Sequence, residues 1–113
     1  MMNRDSRGRV LIIRTACLTF AIELLTCLLR FGARLESTRD TASTIGVLTG
    51  GLRIHHSYAG VALLLPALLL ESRQPRLSAW LTAIGLGLFF SDLIHHFVVL
   101  WIVVGNPQFD LFY

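Results

Sequence analysis

Three long apolar runs organise this chain: Val10 to Phe31, Ile54 to Leu70 and Leu77 to Val104. Each reaches or nearly reaches the ~20 residues that cross a ~30 Å hydrocarbon core. A helix of a soluble bundle keeps a polar stripe toward water, whereas these runs are apolar on nearly all faces. The pattern predicts an all-α protein, a three-helix transmembrane bundle with helices over about residues 10-31, 52-70 and 77-104. The whole chain, 1-113, reads as one integral membrane domain. Residues 1-9 form a basic N-terminal tail. Residues 32-51 form a polar linker with charges at Arg34, Glu36, Arg39 and Asp40. Its Ile45-Gly46-Val47-Leu48 is apolar enough to lie in the interface or to extend helix two backwards. Pro66 predicts a kink in helix two, because proline cannot donate to the carbonyl one turn back. Glu71 to Arg76 is a tight turn, Gly105-Asn106-Pro107 stops helix three, and 105-113 is a short aromatic tail expected at the membrane interface.

The first run has basic residues before it, as a signal peptide does. Its ~20 apolar residues exceed the usual 7–15, and Phe31 stands where a cleavage site takes a small side chain. Leu24-Leu25-Thr26-Cys27 is a poor lipoprotein box. The segment therefore reads as a retained helix.

Composition agrees with the patterning. Hydrophobic residues make up 54% of the chain and charged ones 15%, too little polar surface for a soluble domain of this size. The net charge of +3 is carried by arginines alone. They cluster at segment edges, where they anchor at headgroups, so the partner is a lipid bilayer and not nucleic acid. The N-terminal tail and the 71–76 turn carry Arg4, Arg7, Arg9, Arg73 and Arg76. That bias predicts a multi-pass protein of the cell membrane with a cytoplasmic N-terminus and an external C-terminus. Cys17 and Cys27 lie ten residues apart on one helix, about 15 Å by rise, so they cannot pair with each other.

Against this background the four histidines stand out. They form two adjacent pairs, His55-His56 and His95-His96, inside apolar runs. Ionisable groups within membrane segments are functional-site candidates by default. Counting outward from the 71–76 turn, His56 lies 15 residues before Glu71 and Asp92 lies 16 residues after Arg76. At ~1.5 Å per residue the two pairs reach one layer within about a helical turn. Asp92 shares a helical face with His95 and His96 through i,i+3 and i,i+4 spacing. Gly85 and Ser78 lie on that side, and Ala59, Ala62 and Gly60 accompany the first pair, so the helices can pack closely. Glu23 lies eight residues before Phe31, as His96 does before Val104, which places it at a similar depth. Thr19, Thr26, Cys27 and Arg30 share its face.

Neutral imidazoles with one or two carboxylates suit Zn²⁺, Fe or Cu. The candidate ligands are His55, His56, Asp92, His95 and His96, with Glu23 as a further ligand or a catalytic proton acceptor. In an enzyme the metal would activate water or O₂, and an apolar substrate would arrive laterally. Adjacent residues on a helix diverge by ~100°, so both members of a pair rarely serve one ion. Other readings stay open. His55-His56 could lie solvated at the headgroup edge beside Arg53, the polar residues could form a hydrogen-bond cluster, and Glu23 could pair with Arg30 or sit protonated in lipid. Haem b is the cofactor alternative, with one histidine from each pair as an axial ligand of an electron-transfer subunit. A non-enzymatic proton-relay or assembly subunit is a third class. Tyr58, Trp80 and Trp101 read as packing or interfacial belt residues.

The pattern Ile54-His55-His56-x-x-x-Gly60, then Gly85-x-Gly87, then Asp92-x-x-His95-His96, resembles a class of small uncharacterised prokaryotic multi-pass membrane proteins. The resemblance covers helices two and three and implies no activity. Similar pairs occur in membrane di-iron desaturases and hydroxylases, but those need more histidines in HxxxH and HxxHH boxes. So small a chain has little room for an enclosed cavity, which makes a homo-oligomer or a larger membrane complex a plausible setting.

Overall fold

The computed structural model describes residues 3–36 and 42–112. The linker charges Arg39 and Asp40 lie outside the described residues. The regular elements are all helical. α1 spans Arg4–Cys27 and runs on through a π-helical turn, Leu28–Gly32. A short π turn, Ala42–Gly46, follows. α2 spans His56–Leu70 and α3 spans Pro75–Ile94. A π-helical segment, His95–Leu100, then joins α3 to the short α4, Trp101–Val104.

Local chemistry explains several boundaries. Pro75 opens α3, where its missing N–H costs nothing and its fixed φ suits a first turn. Gly105, at φ 80°, closes α4 with the left-handed cap that glycine adopts most easily. Thr19 and Thr26 donate back to the carbonyls of Thr15 and Ile22, 2.7 and 2.8 Å away, which satisfies hydroxyls on an otherwise apolar helix.

Two predicted boundaries are corrected. The basic tail is not separate: α1 begins at Arg4, with Asp5 in its first turn where the helix dipole favours an acid. Helix two begins at His56, not at Leu52. Arg53 N–H donates to the Leu111 carbonyl at 2.8 Å, and Leu52 forms an antiparallel bridge with Phe112. This pairing with the C-terminal tail holds the approach to α2 outside the helix. Arg4–Gly32 and Pro75–Val104 are long and apolar enough to cross a membrane. α2, with 15 residues, extends only ~22 Å.

α3 is the central helix. α1 and α2 each pack against it and, among the described residues, not against each other. The helices therefore lie side by side as a layer, with extents of 49 × 29 × 19 Å. Small residues make this packing possible. A Cβ on Gly60 would lie 2.5 Å from the Gly85 carbonyl oxygen, and one on Gly85 would lie 2.7 Å from that of Gly60. Gly87 meets Leu18 of α1 in the same manner, its added Cβ falling 3.0 Å from the leucine Cβ. Ser78 donates to the Ala67 carbonyl across the α2–α3 seam at 2.6 Å.

The burial pattern is inverted relative to a water-soluble protein. Among the described residues the buried apolar ones are Ala67, Ala83 and Leu100, while Phe20, Leu65, Leu68, Ile102 and many other large apolar side chains face outward. Besides buried glycines at the helix seams, the interior holds polar side chains, with Ser91, Asp92 and three histidines among them.

Candidate metal centre

The polar interior is concentrated at one end, where α1 ends, α2 begins and α3 passes into its π segment. His55 is the N-cap of α2, in extended conformation, and His56 is its first residue. Asp92 lies in the last turn of α3, and His95 and His96 open the π segment. A π turn holds more residues than an α turn, so neighbours diverge by less than ~100° and both histidines can face inward. All four histidines and Asp92, with Arg53, line a cavity of about 190 Å³.

His55, Asp92 and His96 converge there, all buried. His55 Nε2 donates to the Asp110 carbonyl at 3.0 Å, and His96 Nδ1 donates to the Pro107 carbonyl at 2.8 Å. A carbonyl only accepts, so each bond fixes the proton on that nitrogen. In the neutral rings the lone pairs are then on His55 Nδ1 and His96 Nε2, which face each other at 3.3 Å. His96 Nε2 is 3.4 Å from Asp92 Oδ1, and His55 Nδ1 is 3.8 Å from Asp92 Oδ2. Asp92 is fully buried, and neither of its oxygens has a hydrogen-bond partner of good geometry. Several acceptors thus converge on one small space.

His56 is half-buried and approaches Asp92 from another direction, with Nδ1 3.1 Å from Oδ1. Its Nε2 meets Ser91 Oγ at 3.0 Å, and that hydroxyl is also 3.2 Å from the Leu88 carbonyl. His95 turns toward α1. Its Nδ1 donates to Glu23 Oε1 at 2.9 Å, and the Cys27 thiol, at 3.1 Å, donates to the same oxygen. Glu23 Oε2 is buried without a partner.

The predicted site residues therefore occupy two adjoining groups. His55, His56, Asp92 and His96 form one, and Glu23 and His95 belong to the other. His55 is 3% exposed, so it does not lie solvated at a headgroup edge. Arg30 binds Glu36 at 2.8 Å and Gln108 at 3.1 Å, so Glu23 is not its partner. Glu23 instead lines an apolar groove of about 630 Å³ between α1 and α3, walled by Leu11, Phe20, Leu86 and Phe90.

Two contributions escaped the sequence reading. One is Cys27, whose i+4 spacing from Glu23 was the available signal. The other is the C-terminal tail. Besides its two carbonyls, it stacks Phe109 on His55 with centroids 4.2 Å apart, and Arg53 reaches Asp110 at 3.6 Å. No protein-family model, curated protein or solved structure matches this chain.

Proposed function

We propose that this is a multi-pass membrane protein whose His55, Asp92 and His96 hold a divalent transition-metal ion. The observation that carries the reading is the pair of imidazole lone pairs facing each other beside the fully buried Asp92 carboxylate. A purely structural cluster would place donors against these acceptors, since buried polar groups are almost always satisfied. A protonated histidine bound to Asp92 would close to about 2.7–2.9 Å. The 3.3, 3.4 and 3.8 Å separations are longer. The 3.3 and 3.4 Å separations match the ligand–ligand edges of a tetrahedral ion with bonds of ~2.0–2.1 Å, which are about 3.4 Å, while the 3.8 Å one runs to the other carboxylate oxygen, Oδ2.

Two histidines and one carboxylate with a fourth position free are the donor set of water-activating Zn²⁺ sites. The same set serves non-haem Fe²⁺, which is the second reading. The spacing favours Zn²⁺, because facial octahedral ligands stand closer together. Haem b is less favoured at this pair. Two axial nitrogens would lie about 4 Å apart with the porphyrin between them, against 3.3 Å here. This chain's own residues would prepare the site. The carbonyls of Pro107 and Asp110 set the tautomers, and His56 steadies Asp92. Glu23 stands with His95, so a proton-accepting role at the first ion passes to the half-buried His56.

Membrane residence is supported by the two long apolar helices and the outward-facing large apolar side chains. The arginine bias supports a cytoplasmic N-terminus. The test is elemental analysis of detergent-purified full-length protein. At least one equivalent of Zn or Fe per chain, with one equivalent fewer in the Asp92→Asn/His96→Asn double variant, supports the reading. A folded wild-type protein that holds no metal after loading and desalting contradicts it.

A further inference from the structure

The second polar group, Glu23, Cys27 and His95, has its own metal-ligating geometry. We propose that it is a second, separate metal site, selective for a thiophilic ion such as Zn²⁺, with the Cys27 thiolate as its distinguishing ligand.

One ligand atom from each residue lies within 4.8 Å of the other two. Glu23 and Cys27 sit one turn apart on α1, and His95 reaches them from the facing π segment. The metal-free arrangement is lopsided. Both the thiol and the imidazole N–H donate to Oε1, while the buried Oε2 has no partner. One cation in place of the two bridging protons turns both donors into ligands, the imidazole proton passing to His95 Nε2 and the thiol proton leaving to solvent, and it brings charge to the carboxylate. The contacts of 2.9 and 3.1 Å must then open by only a few tenths of an ångström, because bonds of ~2.0–2.3 Å space tetrahedral ligands about 3.3–3.7 Å apart. The thiol gives up its proton in the process, so loading releases protons. A thiolate–imidazole–carboxylate set is softer than two imidazoles and a carboxylate, so the two sites differ in metal preference.

The two groups share no ligand, which makes them neighbouring mononuclear sites and not a carboxylate-bridged pair. They are coupled through one dipeptide: His95 serves the thiol site and His96 the first site, with ring centroids 5.5 Å apart. π turns are frequent at functional sites, and one begins immediately after Cys27 and another at His95.

The experiment is Co²⁺ titration of the detergent-purified full chain, read by near-ultraviolet absorbance and by bound metal. The expected result is two equivalents and a thiolate-to-cobalt charge-transfer band. Cys27→Ser should abolish the band and one equivalent, whereas Cys17→Ser should keep both. Asp92→Asn/His96→Asn should remove the other equivalent and leave the band. If that double variant binds as much metal as wild type while Cys27→Ser loses an equivalent, the first site falls and the thiolate site stands. A folded wild type without the band, or a band that persists in Cys27→Ser, overturns the second site.

Discussion

The two ends of α3 are built on different principles. Toward Pro75, the seam with α2 is made of Ser78, Gly85 and their small partners Gly60 and Ala67, all buried. The seam's buried hydroxyl is satisfied, since Ser78 donates to the Ala67 carbonyl. Toward Val104 the buried side chains are Ser91, Asp92, His95, His96 and Leu100, and neither Asp92 oxygen has a hydrogen bond of good geometry. One end gains stability from close backbone approach, which is what holds helices together in lipid. The other end gives stability away by burying a carboxylate and imidazole lone pairs without hydrogen bonds of good geometry. Such a division places the strain where the chemistry is and the rigidity that supports it next door.

The largest effect that would break this comparison comes from the packing end. Gly85→Leu drives a side chain into the Gly60 carbonyl, and overpacking of this kind costs about 3 kcal/mol. Thermal unfolding in detergent should show a strong loss of stability, with metal binding lost alongside.

Asp92→Asn separates the two ends. It should weaken metal binding by roughly 100-fold or more, beyond the 10–100-fold typical of residues that only support ligands. The metal-free variant should be as stable as wild type or more so by about 1 kcal/mol, because an unpartnered buried acceptor is removed. Opposite signs in the melting temperature and in metal affinity would be the signature of a carboxylate kept for binding.

Removing the tail from Asn106 onward should weaken binding by about 10–100-fold although it deletes no ligand residue, since it removes the carbonyls that fix the two tautomers and the Phe109 support of His55. Isothermal titration with Zn²⁺ measures this. The smallest effect belongs to Arg14, whose guanidinium lies 4.2 Å over the Trp80 ring. Arg14→Ala should cost about 0.5–1 kcal/mol in unfolding and leave metal binding unchanged.

Much of the polar end could be read from spacing alone. Counting from the 71–76 turn needs only the fixed rise of a helix, so the layer shared by His55, His56, Asp92 and His96 was legible, as was the depth of Glu23. Helix existence was equally legible, because apolar runs of this length have few alternatives. What could not be read depends on long-range pairing. The bond from Arg53 to Leu111 shortens α2, and nothing local to Leu52 signals it. The same fold-back turns an aromatic tail into the support of His55 and His96. The layer arrangement was hidden too, because helical faces apolar all round do not say which neighbours touch. Cys27 was visible beside Glu23, but its part in a ligand set follows only once His95 turns toward α1 and away from Asp92.

The central claim is that His55, Asp92 and His96 share one metal ion. X-ray absorption at the metal edge of the Zn²⁺-loaded Cys27→Ser protein tests it most directly, because the thiolate site is removed. The predicted spectrum has nitrogen and oxygen scatterers only, at ~2.0–2.1 Å, with the outer-shell pattern of two imidazoles, and the Asp92→Asn/His96→Asn changes should abolish it. A protein that binds no zinc, or a spectrum lacking imidazole scattering, would contradict the account.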